Sequence, residues 1–249
     1  MTEDPITLLC FHHAGGSPSA FRAWRGALGP RFELHAVPLP SRDARTGERA
    51  HDDLRSLVEA LDSELDDLMS RPHMIFGHSM GALVGYWLVQ RRMARGAPLP
   101  LAYLAAAYAA PHLARSVVTG VDVDRVDDRT LAERLSALGG LPQELLARPE
   151  WLRLVLGTVR ADLRVCAGHR FIAAPALPVP VHVFGGRHDP LVDAGQLHGW
   201  RRHAAAGFGL DILEGGHFLV QDASAGLLDV LRDRLEELAA PLSSHLQPV

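Results

Sequence analysis

Five residues constrain this chain more than any others: Gly77-His78-Ser79-Met80-Gly81, preceded by the apolar run His73-Met74-Ile75-Phe76. A Gly-x-Ser-x-Gly sequence between a predicted strand and a predicted helix is the mark of a sharp strand-to-helix turn. Such a turn is too tight for side chains at its glycine positions. It pushes the hydroxyl of Ser79 out of the sheet, where a base can reach it. In a chain with 23 glycines the five letters alone are weak evidence, so the context decides. Here the context is a strand before, a helix over Met80–Arg95 after, and suitable partners downstream.

The rest of the chain alternates strand-like and helix-like segments, which predicts an α/β fold with a mostly parallel sheet. Strands are expected at Ile6–Phe11, Glu33–Leu39, Leu101–Tyr108, Val179–Phe184 and Leu210–Leu213. Helices are expected at Ser19–Leu28, Ala50–Leu68, Gln196–Ala205 and Ala223–Leu238. The second of these carries leucines at 54, 57, 61, 65 and 68, a helical period with an acidic outer face. From Pro111 to Gly168 the alternation stops. Only short helical pieces are read there, at Thr130–Leu138, Pro142–Ala147 and Glu150–Leu156. The tail, Ala239–Val249, is expected to fray.

Composition excludes several chemistries. All 25 basic residues are arginine, and the chain has neither lysine nor asparagine. A Schiff-base lysine, a phosphate-binding Walker lysine and a Ser-Lys dyad are therefore ruled out. The net charge of −4 gives no nucleic-acid footprint. Cys10 and Cys166 are too far apart for a metal or redox spacing, and Cys10 reads as a buried thiol in a strand. The acidic start, Met1-Thr2-Glu3-Asp4-Pro5, is unlike a signal peptide, and no apolar stretch approaches a membrane span. A cytoplasmic protein away from membranes is expected. His12-His13 lacks the spaced partners of a hydrolytic metal site, and no Gly-rich dinucleotide fingerprint follows a strand, so neither metal nor cofactor is expected.

A serine hydroxyl is a poor nucleophile at neutral pH and needs a base, and the base needs an acid to fix its tautomer. Val181-His182-Val183-Phe184-Gly185-Gly186 runs into Arg187-His188-Asp189-Pro190, offering Asp189, with Asp193 as the fallback acid. Asp211-Ile212-Leu213-Glu214 runs into Gly215-Gly216-His217-Phe218, offering His217. Serine, acid, histidine, each after a strand and in that order, resembles the α/β-hydrolase fold. In such a fold residues 1–110 and 169–249 would form the core, and 111–168 a helical lid over the site. Acyl transfer also needs donors for an oxyanion. The N–H of Met80, after the nucleophile, is one, and the N–H of Ala14 in His13-Ala14-Gly15-Gly16, after the first strand, is the natural second. His78 is expected to pack beside the turn, and Ser17 to cap the helix that follows it.

Longer blocks carry a more specific resemblance. Phe11-His12-His13-Ala14-Gly15-Gly16-Ser17 with Phe21-Arg22-Ala23-Trp24 is similar to the opening of the type II thioesterases that accompany polyketide and nonribosomal peptide synthases. Val37-Pro38-Leu39-Pro40-Ser41-Arg42 resembles the family's second block, Phe76–Ala82 its elbow, Arg160-Ala161-Asp162-Leu163-Arg164 its lid exit and Gly215–Phe218 its close. The family usually has glycine where this chain has Ser41, and an acidic-Thr-Tyr-like run where it has Val165-Cys166-Ala167-Gly168-His169.

The resemblance implies hydrolysis of acyl or aminoacyl thioesters on the phosphopantetheine arm of a carrier protein, without a cofactor of the enzyme's own. It implies attack by Ser79, a proton taken by His217, orientation by Asp189, and an oxyanion held by Ala14 and Met80. The carrier would be acidic, and Arg91, Arg92 and Arg95 at one helix end are candidates to receive it; a monomer is expected. The departure after Arg164 leaves an acyltransferase or cyclase with the same triad as an alternative. A free-standing esterase on small esters and an inactive binding scaffold are the others.

Overall fold

Six apolar runs form one parallel sheet. They are β1 (Ile6–Phe11), β2 (Phe32–Ala36), β3 (His73–His78), β4 (Tyr103–Ala106), β5 (Val181–Gly186) and β6 (Phe208–Leu213), in the order β2-β1-β3-β4-β5-β6. This computed structural model describes residues 5–113, 122–141, 143–221 and 226–244. All residues of the central strands β1, β3, β4 and β5 are buried. That is why they read as continuous hydrophobic runs rather than alternating ones: a parallel strand is covered on both faces.

The helices are α1 (Leu54–Glu64), α2 (Asp66–Met69), α3 (Met80–Ala94), α4 (Asp128–Ala137), α5 (Pro149–Gly168), α6 (Ala194–His198) and α7 (Leu227–Ser244). Leu57, Leu61, Leu83, Val84, Leu88 and Trp200 fill the core on one sheet face. Phe21, Trp24, Leu231 and Leu235 fill the other, against Phe76 and Phe184. A third cluster has its buried members, among them Val123, Leu131, Leu141, Leu152, Leu156, Val159 and Leu163, all within 123–163, and Ala14 packs against it. No described helix is long and apolar enough to cross a membrane.

Several predicted boundaries shift for identifiable reasons. The helix expected over Ser19–Leu28 is a 3-10 turn over Pro18–Trp24, capped by Ser17. The helix expected over Ala50–Leu68 starts only at Leu54, because the Asp53 carboxylate caps the N–H of Ser56, and it breaks at Leu65 into α1 and α2. The piece expected at Glu150–Leu156 is the 20-residue α5, which runs on through Gly157, where no atom comes within 4 Å of an added Cβ. The helix expected over Gln196–Ala205 starts at Ala194 and passes into a 3-10 turn over Gly199–His203. Residues 239–244 extend α7 instead of fraying; residues 245–249 and the predicted start of that helix at 223–225 lie outside the described residues.

Candidate active site

The elbow takes its shape from its glycines. Ser79 has φ +54° and ψ −117°, a conformation that costs a non-glycine residue about 1–3 kcal/mol and persists only where the surroundings enforce it. A Cβ on Gly77 would lie 2.3 Å from the carbonyl oxygen of Gly81, and one on Gly81 would lie 2.1 Å from that of Phe11. Neither backbone can yield, so both positions require glycine. The close approach at Gly81 seats the start of α3 against the end of β1. That brings the loop beginning at His12 beside Met80, the residue after the nucleophile.

Ser79 Oγ lies 2.9 Å from Nε2 of His217, whose Nδ1 donates to Asp189 Oδ2 at 2.9 Å. The Asp189 and His217 side chains are 1% and 4% exposed. Asp189 follows β5, and its other oxygen accepts the N–H groups of Leu191 (2.8 Å) and Val192 (3.2 Å). The carboxylate is thereby held in one orientation. His217 follows β6, and its loop closes on the β5 turn: a Cβ on Gly186 would lie 2.4 Å from the Gly216 carbonyl oxygen. Asp193 does not join this line; it caps α6 in a reciprocal box with Gln196. His188 is exposed and faces Glu214.

A cage of neutral rings surrounds His217. His78 donates from Nε2 to the His217 carbonyl at 2.8 Å, while His13 packs edge-on against both His78 and Phe218. Burial, followed by the charge His217 can carry, pushes the His78 imidazole down to about 3. Burial, followed by Arg42, brings His12 to about 4, and burial holds His13 well below its usual value. The cage therefore adds no positive charge beside His217 at neutral pH. The Ala14 loop is tied down from a distance: Asp162 of α5 accepts the Gly15 N–H at 2.7 Å, and Arg42 donates to the Gly16 carbonyl at 3.1 Å.

Of the three docking candidates at the end of α3, Arg92 alone is corrected by its placement. Arg92 is wholly buried. It is bound to Asp62 and Asp66, and it also donates to the carbonyls of Pro98 and Met69. Arg91 and Arg95 are half-exposed, but each also bonds the buried Asp62, at 2.9 and 2.6 Å. The acidic face of α1 and the basic end of α3 pair with each other around the buried Asp62 and Arg92, with Arg91 and Arg95 still half-open to solvent. Among the described residues no cluster of three or more His, Cys, Asp or Glu is arranged to hold a metal. A cavity of about 920 Å³ between α1, α3 and residues 168–175, lined in part by Trp87 and Gln90, does not include Ser79, His217 or Asp189.

Sequence reading missed the Arg42–Asp162 contact and the His78–His217 bond. Both charged residues do lie in the blocks that carry the family resemblance, which was the one available signal.

A parallel sheet with a serine elbow after β3 and an acid and a histidine after β5 and β6 defines an α/β hydrolase. The thioesterase domain family matches residues 6–235, and the chain belongs to that family. It is 30% identical over 237 residues to linear gramicidin dehydrogenase LgrE of Brevibacillus parabrevis, covering 94% of this chain and 89% of that one. Its fold superposes on RedJ, a thioesterase from the prodiginine biosynthetic pathway of Streptomyces coelicolor, with TM-score 0.87 and 31% identity, over 95% of this chain and 91% of RedJ. BorB, a type II thioesterase from the borrelidin biosynthetic cluster, gives TM-score 0.83 at 31% identity, over 94% of each chain.

Proposed function

We propose that this chain is a type II thioesterase that hydrolyses acyl or aminoacyl thioesters from phosphopantetheinyl carrier proteins, editing or releasing chains in polyketide or nonribosomal peptide synthesis. Ser79 attacks the thioester carbonyl, and His217 takes its proton and passes it to the leaving thiol. Asp189 holds the imidazole in the tautomer that leaves Nε2 free to accept. The N–H groups of Ala14 and Met80 stabilise the oxyanion, a contribution of about 10²–10³ in rate per donor. Water then releases the acid from the acyl-enzyme, and no cofactor takes part. The described part of residues 111–168 (114–121 and 142 lie outside it) acts as a lid, a reading supported by the apolar cluster whose buried members all lie within 123–163.

The observation that carries the proposal is the line Ser79–His217–Asp189, with both bonds at 2.9 Å and every partner buried or nearly so. The biosynthetic settings of RedJ and BorB support the choice of substrate. The test is incubation of acyl-loaded carrier protein with wild type and with Ser79→Ala, read by intact mass. Loss of the acyl mass with release of free acid, by wild type alone, is expected. Turnover of simple esters with the carrier untouched points instead to a free esterase, and loss of the acyl mass without free acid points to a transferase.

A further inference from the structure

Asp162 and Arg42 are 120 residues apart and form a buried two-toothed ion pair, with Nη1 and Nη2 of the arginine each 2.7 Å from one carboxylate oxygen. Their side chains are 4% and 8% exposed. Bidentate pairs of this kind fix direction as well as distance. This pair also reaches the backbone of the Ala14 loop at two points. Asp162 Oδ2 accepts the Gly15 N–H at 2.7 Å, and Arg42 Nη1 donates to the Gly16 carbonyl at 3.1 Å. Arg42 is itself held by Nε donating to the Pro40 carbonyl at 3.2 Å. Within the loop, Gly16 N–H and His12 Nδ1 both donate to the His13 carbonyl at 2.9 Å. Gly15 sits at φ +75°, and a Cβ there would lie 2.4 Å from Val159 Cγ2 of α5.

We infer that Asp162 and Arg42 are positioning residues for the oxyanion-binding loop, so that the direction of the Ala14 N–H depends on how α5 is seated. The inference rests on the acyl-transfer reading of Ser79 given above. Glycines at 15 and 16 leave the loop with little conformational preference of its own. An external clamp must therefore hold the peptides on the C-terminal side of Ala14. Pairing also matters electrostatically. A lone carboxylate at Asp162 would oppose negative charge developing at the neighbouring oxyanion; with the Arg42 guanidinium across it, the clamp is neutral overall. Lysine cannot replace Arg42, because an ammonium is a point charge and cannot span both carboxylate oxygens in one plane.

The test compares wild type, Asp162→Asn, Arg42→Lys and Thr158→Val. Thr158 is the control, since its hydroxyl joins the same helix to the Ser41 carbonyl at 3.2 Å, a bond made outside residues 13–16. The readouts are kcat and KM on a butyryl N-acetylcysteamine thioester, and inhibition by phenylboronic acid, whose tetrahedral adduct on serine presents an oxyanion to the hole. Misplacing one donor predicts a loss of about 10- to 100-fold in kcat for Asp162→Asn and Arg42→Lys. A matching loss of boronate affinity is expected, with KM nearly unchanged and Thr158→Val like wild type. A purely structural role would lower the melting temperature without separating kcat from KM or weakening the boronate selectively. If Asp162→Asn does not fold, Arg42→Lys, which keeps a cation opposite Asp162, carries the test. Retention of kcat and boronate affinity in a folded variant overturns the inference while leaving Ser79 chemistry intact. A wild type that neither turns over the thioester nor binds boronate overturns the acyl-transfer reading, and the inference with it.

Discussion

Replacing Asp189 by asparagine has an outcome fixed by the hydrogen bonds around it. One carboxylate oxygen accepts two backbone N–H groups, from Leu191 and Val192, and the other accepts His217 Nδ1. In the asparagine variant the oxygen must stay with the two N–H donors, since an amide NH₂ cannot face them. The NH₂ is then turned toward His217 Nδ1, which can only accept. The imidazole proton is forced onto Nε2, the atom 2.9 Å from Ser79 Oγ, so the base has no lone pair for the serine proton. The imidazolium formed later also loses its counter-charge. This tautomer trap is worth about 10⁴ in kcat where it has been measured in serine enzymes. The shape of the site is kept, so the fold is expected to be little disturbed. The assay is kcat on a soluble acyl thioester, with proton NMR for the low-field Nδ1–H resonance, which should vanish. Asp193→Ala is the control. It loses a helix cap worth about 1 kcal/mol but keeps its activity. A loss below tenfold for Asp189→Asn, or a larger loss for Asp193→Ala, refutes the reasoning.

Three further predictions concern the frame around the site. Ser41 holds φ +68°, and it bonds Arg45 and Thr158 through its backbone N–H and carbonyl. Ser41→Gly should therefore raise stability by up to about 1 kcal/mol, read as a higher melting temperature; an unchanged or lower one contradicts the strain argument. Asp62 is wholly buried and bonds Arg91, Arg92 and Arg95, so Asp62→Ala removes three ion pairs while Arg92 keeps Asp66 and two carbonyls, and it should cost about 1–3 kcal/mol in urea unfolding. A cost under 1 kcal/mol would show that the cluster contributes little. His78 titrates near 3 and His12 near 4 in the folded protein, both below the usual 6.5. A histidine depressed in this way binds fewer protons folded than unfolded, so its contribution is complete above pH 6.5 and lost as pH falls from there toward 4 and 3. Substituting His78→Gln should flatten the stability slope between pH 6 and 4 by about 1.4 kcal/mol per pH unit, and an unchanged slope would place the His78 titration elsewhere.

Local patterns made the sheet and the hydrogen-bonded line Ser79–His217–Asp189 legible in the sequence. Buried parallel strands leave uninterrupted apolar runs, and an elbow needs glycine at two fixed positions. The chain order of Ser79, Asp189 and His217 follows from where β3, β5 and β6 end. What escaped was long-range or two-sided. The acidic face of α1 and the basic end of α3 each read as solvent-facing, and only their packing shows that they neutralise one another. Gly157 cut the reading of α5 short, although an exposed glycine costs a helix only about 1 kcal/mol. Nothing in the spacing of Arg42 and Asp162 foretells their pairing, because a contact across 120 residues is made by the fold.

The most direct test of covalent catalysis at Ser79 is rapid quenching of enzyme mixed with acyl-loaded carrier protein, followed by peptide mass mapping. An acyl mass carried on the peptide containing Ser79, absent in Ser79→Ala and accumulating before free acid, is the predicted result. Release of free acid with no acylated Ser79 peptide at any time, or undiminished release by Ser79→Ala, would contradict it.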